Sequence, residues 1–432
     1  MPADSANPRD VTEHVDIACT ACGCVCDDLR LRVADNGIVD FAPPCPLADR
    51  WFARFRSPVP STCQVYGRPA TFDEAIQQAA ALLRQSAAPL VYGLSGSSTH
   101  GQRAAIELAE QLGANIDTSA STCHGPSILA LQQVGESTCT LGEIKNRADL
   151  IVYWGSDPVV SHPRHLERYS ADARGENLPR GRADRWLAVV DIQDTATSER
   201  ADLTLLVEPG GDFDVIWALR CLLRREDALP AHVGGIGADS LRAFAARLKS
   251  CRCGVFFFGR GLTQGPLGHA AVESLLLLTR DLNAWTRFHA RRMRVYGDVA
   301  GADTVLCWQT GFPFSVNLAR GYPRYGPGEY SANELLERRE VDCCLALGIE
   351  GIQSLSPAAR ETLNRIPTIV VNHDPEPTLA ATVFIPTAVY GVHLAGTAYR
   401  MDEVPIRLRP VLHSPLPSDA DVLRRLARAI RP

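Results

Sequence analysis

Short runs of apolar residues, each followed by a polar or glycine-rich turn, recur along the chain. Two such runs lie at residues 149–155 and 342–348, and two more end at residues 189–191 and 370–372. Each run ends in Gly, Asp or Asn. Short runs bounded by turn residues are typical of parallel strands that are buried on both faces. Amphipathic segments between the runs predict helices, so the pattern indicates an α/β fold.

The same runs belong to an internal repeat. The matching pairs are residues 91–93 with 257–259, 104–107 with 270–273, 149–155 with 342–348, 189–191 with 370–372, and Pro209 with Pro386. Each copy begins with an apolar run, a turn rich in small residues and an amphipathic helix. The repeat predicts two related α/β domains. The predicted boundaries are 1–63 for a small cysteine-bearing domain, 64–240 and 241–395 for the α/β domains, and 396–432 for a C-terminal extension.

Composition and charge narrow the class of protein. A net charge of −5 over 432 residues predicts neither a nucleic-acid partner nor a membrane partner. The chain has no run of about 18 apolar residues, and its first ten residues lack the basic and apolar parts of a signal peptide. We therefore expect a cytoplasmic protein. Fourteen cysteines without an export signal indicate a reducing compartment and metal or redox chemistry rather than a disulfide framework.

Four cysteines near the N-terminus have the spacing of a metal–sulfur site. Cys19, Cys22 and Cys26 follow one another closely, and Cys45 comes from a separate segment. Three thiolates on a tight loop can reach three corners of a [4Fe–4S] cube, and a fourth thiolate closes it. A structural zinc site uses similar spacings, although zinc ribbons usually pair two Cys-x2-Cys knuckles. Buried thiols without a metal are the third alternative. Cys24 falls outside this spacing.

Polar and glycine residues follow the predicted strands of both halves. In open α/β sheets, ligands bind beyond the carboxyl ends of the strands, where helix N-termini favour phosphate. The candidates for a dinucleotide site are Gly155, Ser156, Asp157, His162, Asp191, Pro209, Gly211 and Asp212 in the first half, and Gly348, His373 and Thr397 in the second. Ordinary turn chemistry explains any one of them taken alone. Neither half has a clean G-x-G-x-x-G, which disfavours ordinary NAD binding.

A cysteine and a histidine stand side by side in the Gly-Pro loop at Cys123 and His124. They could form a nucleophile pair, a metal ligand with a neighbouring acid or base, or an inert buried cysteine beside a histidine. Side chains of adjacent residues point in different directions, which disfavours a catalytic dyad. One metal ligand and one substrate-facing histidine fit the pair better.

Several motifs together resemble the molybdopterin-guanine-dinucleotide oxidoreductases, and within them the family of B-type subunits of formylmethanofuran dehydrogenase. The motifs are Cys-Thr-Ala-Cys-Gly-Cys-Val-Cys-Asp-Asp from Cys19, Thr-Cys-His-Gly-Pro from Thr122, and residues 140–149, 161–165, 320–329 and 396–402. They span nearly the whole chain. The resemblance implies a [4Fe–4S] cluster on Cys19, Cys22, Cys26 and Cys45, and a bis(molybdopterin guanine dinucleotide) centre with tungsten or molybdenum.

The resemblance also implies an activity and roles for three residues. Members of the family interconvert CO2 and formate, and Cys123 would be the protein ligand to tungsten or molybdenum. His124 would lie against the CO2 or formate carbon and shuttle or steer its proton. An arginine near the metal would bind the carboxylate, and we choose Arg294, with Arg292 as the next choice, because a planar guanidinium matches a carboxylate bidentately. The alternative for residues 291–294 is a surface basic run.

The implied partners supply what this subunit lacks. A ferredoxin-like donor would deliver electrons, and an amidohydrolase-like formyltransferase subunit would receive formate. Larger single-chain relatives end in a barrel that caps the pterin. This chain stops about 30 residues after Asp402, so we expect a separate capping subunit. Relatives often place a lysine just after the fourth cysteine. Here Arg50 is the nearest basic residue after Cys45.

Two other functions remain open from the sequence. The formyltransferase/hydrolase complex of bacteria that oxidise one-carbon compounds contains a similar subunit, which can be a structural partner without redox chemistry. A zinc-stabilised binding module would explain the N-terminal cysteines, but neither the repeat nor Cys123. Retention of all the ligand residues together favours the redox subunit.

Overall fold

The computed structural model describes residues 11–57, 62–226, 228–265, 267–374 and 379–431. Its strands are β1 (Thr12–Ile17), β2 (Leu29–Ala34), β3 (Gly37–Ala42), β4 (Cys63–Val65), β5 (Arg68–Ala70), β6 (Pro89–Gly93), β7 (Asn115–Thr118), β8 (Leu150–Trp154), β9 (Trp186–Asp191), β10 (Leu203–Leu206), β11 (His232–Val233), β12 (Ile236–Gly237), β13 (Cys253–Phe258), β14 (Arg287–Arg292), β15 (Val316–Asn317), β16 (Arg324–Tyr325), β17 (Cys343–Leu347), β18 (Thr368–Asn372), β19 (Val383–Pro386), β20 (Gly396–Tyr399) and β21 (Pro405–Leu408).

The α-helices lie mainly between the strands, as the amphipathic segments predicted. They are α1 (Pro46–Ala53), α2 (Phe72–Gln85), α3 (Thr99–Leu112), α4 (Gly125–Val134), α5 (Leu141–Arg147), α6 (Pro158–Ser161), α7 (His165–Tyr169), α8 (Asp212–Leu223), α9 (Ala238–Ser250), α10 (Arg260–Thr263), α11 (Gly268–Leu282), α12 (Val299–Thr310), α13 (Ala332–Glu337), α14 (Pro357–Leu363) and α15 (Asp419–Ile430). Short 3₁₀ turns span Gly181–Asp184, Ser198–Arg200 and Ile352–Ser354. The predicted mixed α/β fold is confirmed.

The chain forms two compact units. The first contains Met1–Thr122 and Tyr296–Pro432, and the second contains Cys123–Val295. The second unit holds a parallel sheet in the order β10-β9-β8-β13-β14. Every residue of β8 and β13 is buried, because their apolar side chains pack on both faces of the sheet. Helices α4, α8, α9 and α11 cover one of these faces.

The first unit holds a longer mixed sheet in the order β16-β15-β7-β6-β17-β18-β19-β4-β5. Its middle strands β7, β6, β17, β18 and β19 are parallel. Alternate residues of these strands pack against α2, α3, α12 and α15 on one face and against α13 and α14 on the other. The same unit contains the antiparallel sheet β1-β2-β3 and the pair β20-β21.

The two copies of the repeat exchange their first strands. In the first copy β8, β9 and β10 pair with one another, but the strand beside β8 is β13, which opens the second copy. Conversely, β6 of the first copy lies beside β17 of the second. The orders β10-β9-β8-β13-β14 and β19-β18-β17-β6-β7 therefore correspond strand for strand.

This exchange changes the division of the chain. The sequence predicted a boundary between residues 240 and 241, but that point lies inside the second unit, and the chain divides after Thr122 and after Val295 instead. The physical reason is hydrogen bonding between strands of different copies, which sequence similarity along the chain does not reveal. The predicted segments 1–63 and 396–432 both belong to the first unit.

In the described residues, no helix is long and apolar enough to cross a membrane. The first ten residues, from which the absence of a signal peptide was predicted, lie outside the described residues.

A buried ion pair in the second unit gives a stability prediction. Arg220 of α8 donates from Nε to Asp281 of α11 at 2.9 Å, and its side chain is 3% exposed. Without Arg220, the partly buried Asp281 would keep only the exposed Arg224 at 3.5 Å and the exposed Arg280 at 3.3 Å as partners, so its charge would be poorly compensated. We expect Arg220→Met to lower the free energy of unfolding by about 3 kcal/mol, measured by urea denaturation of the full chain. Arg242→Met, at an exposed pair with Asp239, is the control and should change it by less than about 1 kcal/mol. Equal effects would contradict the prediction.

Candidate functional site

The N-terminal cysteines of the first unit lie on a tight loop that follows β1. The Cys19 amide donates to the Cys26 carbonyl at 2.8 Å, and the Val25 amide donates to the Cys22 carbonyl at 3.1 Å. Cys45 comes from a different segment, as predicted, and is the N-cap residue of α1. Cys19, Cys22 and Cys26 are buried, whereas Cys45 is half-buried.

The thiols of these cysteines influence one another electrostatically. Burial raises the pKa of Cys19 well above its usual range, and the charges of Cys22, Cys26 and Cys45 raise it further. Burial likewise raises the pKa of Cys45, again with contributions from Cys22 and Cys26. Four thiols that repel one another when ionised are a donor set that fits a positively charged metal–sulfur cluster. Among the described residues, no three His, Cys, Asp or Glu side chains are grouped so as to hold a single metal ion.

Cys24 differs from the other cysteines of the loop. Its side chain is 1% exposed. Hydrogen bonds to the sulfurs of Cys22 and Cys26, together with burial, raise its pKa well above the usual range. The raised pKa keeps the Cys24 thiol protonated beside Cys22 and Cys26.

A cavity of about 470 Å³ opens in the first unit at the carboxyl ends of β6, β17 and β18. It lies beside the cysteine loop, which contributes Thr20 and Ala21. Its other lining residues are Trp51, Arg54, Ser95, Gly96, Ser97, Tyr296, Gly297, Asp298, Ile349, Glu350, Gln353, Asn372, Asp374, Val389, Tyr390 and Leu408. The sequence predicted a ligand site beyond the carboxyl ends of the parallel strands, and the structure has a cavity at that position in this unit.

Charged groups of both signs line this cavity. Arg54 donates from Nε to Asp374 at 2.8 Å and stacks over the Trp51 ring, 4.9 Å from its centroid. Burial raises the pKa of the Glu350 carboxyl. Hydroxyl groups of the wall are held by a buried carboxylate, because Ser97 Oγ and Tyr390 OH both donate to Asp419, at 2.5 and 2.9 Å. The cavity thus offers fixed hydroxyl groups and carboxylates to a polar ligand.

The residues predicted for the second half lie near the cavity rather than in its wall. Gly348 is buried and adopts a φ of +78° immediately before Ile349. His373 Nδ1 lies 2.9 Å from the Thr387 carbonyl, and Thr397 belongs to β20. Ile349, which follows Gly348, and Asn372 and Asp374, which flank His373, line the cavity instead.

Sequence reasoning missed several lining residues. Ser95, Gly96 and Ser97 form the small-residue turn after β6, and the turn rich in small residues that opens each copy of the repeat is the sequence signal that points to them. Arg50 was the basic residue named after Cys45, but it is exposed. Arg54, the C-cap residue of α1, lines the cavity.

Acidic side chains gather at the carboxyl edge of the sheet in the second unit. Asp157 accepts a hydrogen bond from Thr197 Oγ1 at 2.5 Å, and Asp212 accepts one from Trp154 Nε1 at 2.7 Å. Burial raises the pKa of Asp191, and the charges of Asp212 and Asp157 raise it further. The structure therefore brings together three of the predicted strand-end residues.

The remaining predicted residues of this edge surround the acids. Gly155 has a φ of +56°, and a Cβ there would come within 2.6 Å of the Leu262 nitrogen, so the close approach of α10 requires glycine. Ser156 is buried, Pro209 is exposed, and Gly211 is the N-cap residue of α8. Their positions fit the predicted turn at the end of a parallel strand.

Cys123 and His124 lie at the start of α4 in the second unit, and both are buried. The Cys123 carbonyl accepts a hydrogen bond from Thr263 Oγ1 at 3.2 Å. The His124 ring has a protein partner at each nitrogen: Nδ1 lies 3.0 Å from Ser127 Oγ, and Nε2 lies 3.2 Å from the Met293 carbonyl. Burial and the charge of Arg294 lower the pKa of His124 to about 3. His124 is therefore a neutral ring held in one orientation.

The arginines at the end of β14 are buried, so the alternative of a surface basic run is wrong. Arg291 is 1%, Arg292 7% and Arg294 3% exposed. Arg291 donates to Thr138 Oγ1 at 2.7 Å, and Arg292 forms an ion pair with Glu136 at 3.2 Å. Among the charges that act on His124, Arg294 has the largest influence. These contacts favour Arg294 over Arg292 as the arginine beside His124.

His162, predicted as a cofactor-binding residue, is fully buried in the second unit. Its Nδ1 lies 2.9 Å from Ser161 Oγ, and its Nε2 lies 2.7 Å from the Arg294 carbonyl. Burial lowers the pKa of His162 to about 4, so this ring is also neutral at pH 7. Both nitrogens are engaged with protein groups.

No protein-family model matches the chain. Among curated proteins, the B-type subunit of the tungsten-containing formylmethanofuran dehydrogenase 2 of Methanocaldococcus jannaschii is 40% identical over 426 residues, covering 96% of this chain and 98% of the relative. The B-type subunit of the formyltransferase/hydrolase complex Fhc of Methylorubrum extorquens is 29% identical over 303 residues, covering 66% of this chain and 73% of the relative.

A solved structure supports the fold. One chain of the crystal structure of the formyltransferase/hydrolase complex from Methylorubrum extorquens, in complex with methylofuran, superposes with a TM-score of 0.70 at 24% identity. The superposition covers 85% of this chain and 98% of that chain. At this identity the likeness concerns the fold alone.

Proposed function

Because this chain belongs to the family of B-type subunits of formylmethanofuran dehydrogenase and is a subunit of an oxidoreductase complex, we propose that it carries the centre that interconverts CO2 and formate. Cys123 would be the protein ligand of tungsten or molybdenum, which two pterin guanine dinucleotides complete. The observation that carries the proposal is the buried Cys123–His124 pair, on which the buried Arg294 exerts its charge. A soft thiolate suits such a metal.

The donor sets of the chain fit the proposed cofactors. When bound, the metal–pterin centre would supply the two-electron chemistry of CO2 + 2e⁻ + H⁺ → HCOO⁻, and the cluster would supply single electrons. Cys19, Cys22, Cys26 and Cys45 would hold the cluster. In the first unit, the Ser95–Ser97 turn and the acids of the cavity offer groups for phosphate, ribose and base. In the second unit, Asp157, Asp191 and Asp212 would accept hydrogen bonds from ribose hydroxyls or a base.

The residues of the chain would bind and orient the substrate. Arg294 would hold the carboxylate of formate, or the negative charge that develops on CO2 during reduction, by a charge-assisted pair in a site poor in water. His124 would carry its proton on Nε2, which donates a hydrogen bond to the Met293 carbonyl, and its Nδ1 would accept a hydrogen bond from the Ser127 hydroxyl. In this state the neutral ring would orient the proton of the substrate through its fixed dipole and would not itself accept that proton.

The partners that we propose for the complex are those that the family resemblance implies. They are an amidohydrolase-like formyltransferase subunit, a pterin-capping subunit and a ferredoxin-like electron donor, in the cytoplasm. The alternative is a structural role in a formyltransferase/hydrolase complex without redox chemistry, which the Methylorubrum relative supports. The higher identity to the tungsten-containing relative and the presence of all the proposed ligands favour the redox subunit.

One experiment separates the two functions. The chain is purified anaerobically together with the products of its neighbouring genes, and iron, tungsten and molybdenum are measured beside CO2–formate interconversion with a low-potential dye. We expect about four iron atoms and one tungsten or molybdenum atom per chain, with activity. A pure complex without iron or pterin metal, and with formyl-hydrolase activity only, would support the structural role and overturn the proposal.

A further inference from the structure

Two buried histidines of the second unit bind consecutive carbonyl groups of the segment that follows β14. His124 Nε2 lies 3.2 Å from the Met293 carbonyl, and His162 Nε2 lies 2.7 Å from the Arg294 carbonyl. The same segment is anchored from its other side, because the Met293 amide donates to the Phe258 carbonyl at 2.9 Å. The backbone at residues 293 and 294 is thus held by three hydrogen bonds from three separate elements.

The geometry fixes the protonation of His162. A carbonyl oxygen only accepts, so Nε2 of His162 carries the proton that it donates to Arg294. Nδ1 is then unprotonated and lies 2.9 Å from Ser161 Oγ, whose one proton also faces the Asp157 carbonyl at 2.8 Å. Burial keeps the ring neutral by lowering its pKa to about 4. With both nitrogens engaged, the ring has no polar atom left for a cofactor.

We propose that His162 is a positioning residue for Arg294, whose backbone it holds so that the guanidinium meets the carboxylate of formate. The inference rests on the proposed function and deepens it, since it assigns to His162 a role other than cofactor binding. The bond is short and lies where His162 is fully buried, so water does not replace it. A guanidinium binds a carboxylate through two parallel hydrogen bonds, and this geometry tolerates little displacement of its backbone.

The test compares His162→Phe and His162→Gln in the purified complex. Phenylalanine keeps the ring volume but removes the N–H donor, whereas glutamine keeps an N–H donor at a similar distance from the backbone. We expect His162→Phe to raise KM for formate by about 10–100-fold, the usual effect of removing a group that orients a functional side chain. His162→Gln should recover most of the loss. Iron and tungsten or molybdenum contents should stay at the wild-type level in both.

A control and a second readout separate positioning from general damage. His289→Phe changes another buried histidine, on β14 itself, and should leave KM unchanged. Hydrogen exchange of peptides covering residues 288–297, measured on the full chain, should be faster in His162→Phe than in wild type or His289→Phe. The double variant His162→Phe/Arg294→Lys should have a KM less than about twofold higher than that of Arg294→Lys alone. The two effects should not add, because both changes act through the Arg294 guanidinium.

The outcomes distinguish this inference from the proposed function. If the wild-type complex interconverts CO2 and formate but His162→Phe has wild-type KM, the inference is overturned and the function stands. Unchanged exchange of residues 288–297 in His162→Phe also overturns it. If the wild-type complex has no CO2–formate activity, the proposed function fails and the carboxylate role of Arg294 fails with it.

Discussion

Replacement of Cys123 by serine is expected to abolish CO2–formate interconversion and to lower the tungsten or molybdenum content of the complex, while its iron content stays unchanged. A serine hydroxyl is a harder and far less acidic donor than a thiol, so it is a poor substitute for a thiolate on a soft metal centre. Groups that merely support a metal ligand typically contribute about 10–100-fold to activity, so loss of the ligand itself should exceed about a hundredfold. Elemental analysis and dye-linked assays measure both effects.

The matched control for this change is Cys307→Ser. Cys307 is an exposed cysteine on α12, outside the proposed ligand set, and its replacement should alter neither metal content nor rate. Full activity in Cys123→Ser would contradict the assignment of Cys123 as the metal ligand. Loss of iron as well as tungsten or molybdenum would indicate that the change disturbs the fold rather than the ligand alone.

Replacement of Cys22 by serine is expected to remove the iron–sulfur cluster, so that iron falls from about four atoms per chain to less than about one. Cys22 is the middle cysteine of the loop, and its carbonyl also accepts the Val25 amide that closes the turn. Electron delivery to the active site should stop, and dye-linked activity should fall to background. Iron analysis and the electron paramagnetic resonance signal of the reduced complex measure the change.

Cys24→Ala is the control for Cys22→Ser. It changes a thiol two residues away that is even more deeply buried, hydrogen-bonds to Cys22 and Cys26, and lies outside the proposed ligand set. We expect it to keep about four iron atoms and to shift the cluster's reduction potential, because hydrogen bonds to cluster sulfurs tune that potential. Loss of iron from Cys24→Ala with retention in Cys22→Ser would exchange the roles of the two cysteines.

Strands β6, β8, β9, β13, β17 and β18 were predictable from the sequence, because each is a short apolar run that ends in glycine or a polar turn residue. The predicted run at residues 149–155 is β8, and the run at residues 342–348 is β17. The exchange of β6 and β13 between the copies was not predictable. Similarity along a chain identifies which segments correspond, but hydrogen bonding between strands is decided by tertiary packing.

The candidate site was predictable where chemistry restricts the residue type and less so elsewhere. The spacing of the N-terminal cysteines and the Cys123–His124 pair identified candidate metal ligands, and the structure buries most of them. The sequence alone could not show that Arg294 is buried, because the burial of an arginine depends on the residues that pack around β14 in the folded chain. Arg54 was not selected from the sequence, because which side chains around α1 face the cavity depends on how the helix packs, and the sequence alone does not define that.

The exchanged strands also order events during synthesis. The second unit is one continuous stretch, Cys123–Val295, so all of its strands have left the ribosome before the rest of the first unit is made. The sheet of the first unit is different, since β6 and β7 must wait for β17, more than two hundred residues later, before they gain a parallel neighbour on the β6 side. Contacts between such distant segments form slowly. The nascent chain is therefore expected to expose an unfinished, apolar sheet edge until β17 is made, and chaperone binding is expected to concentrate on residues 89–118.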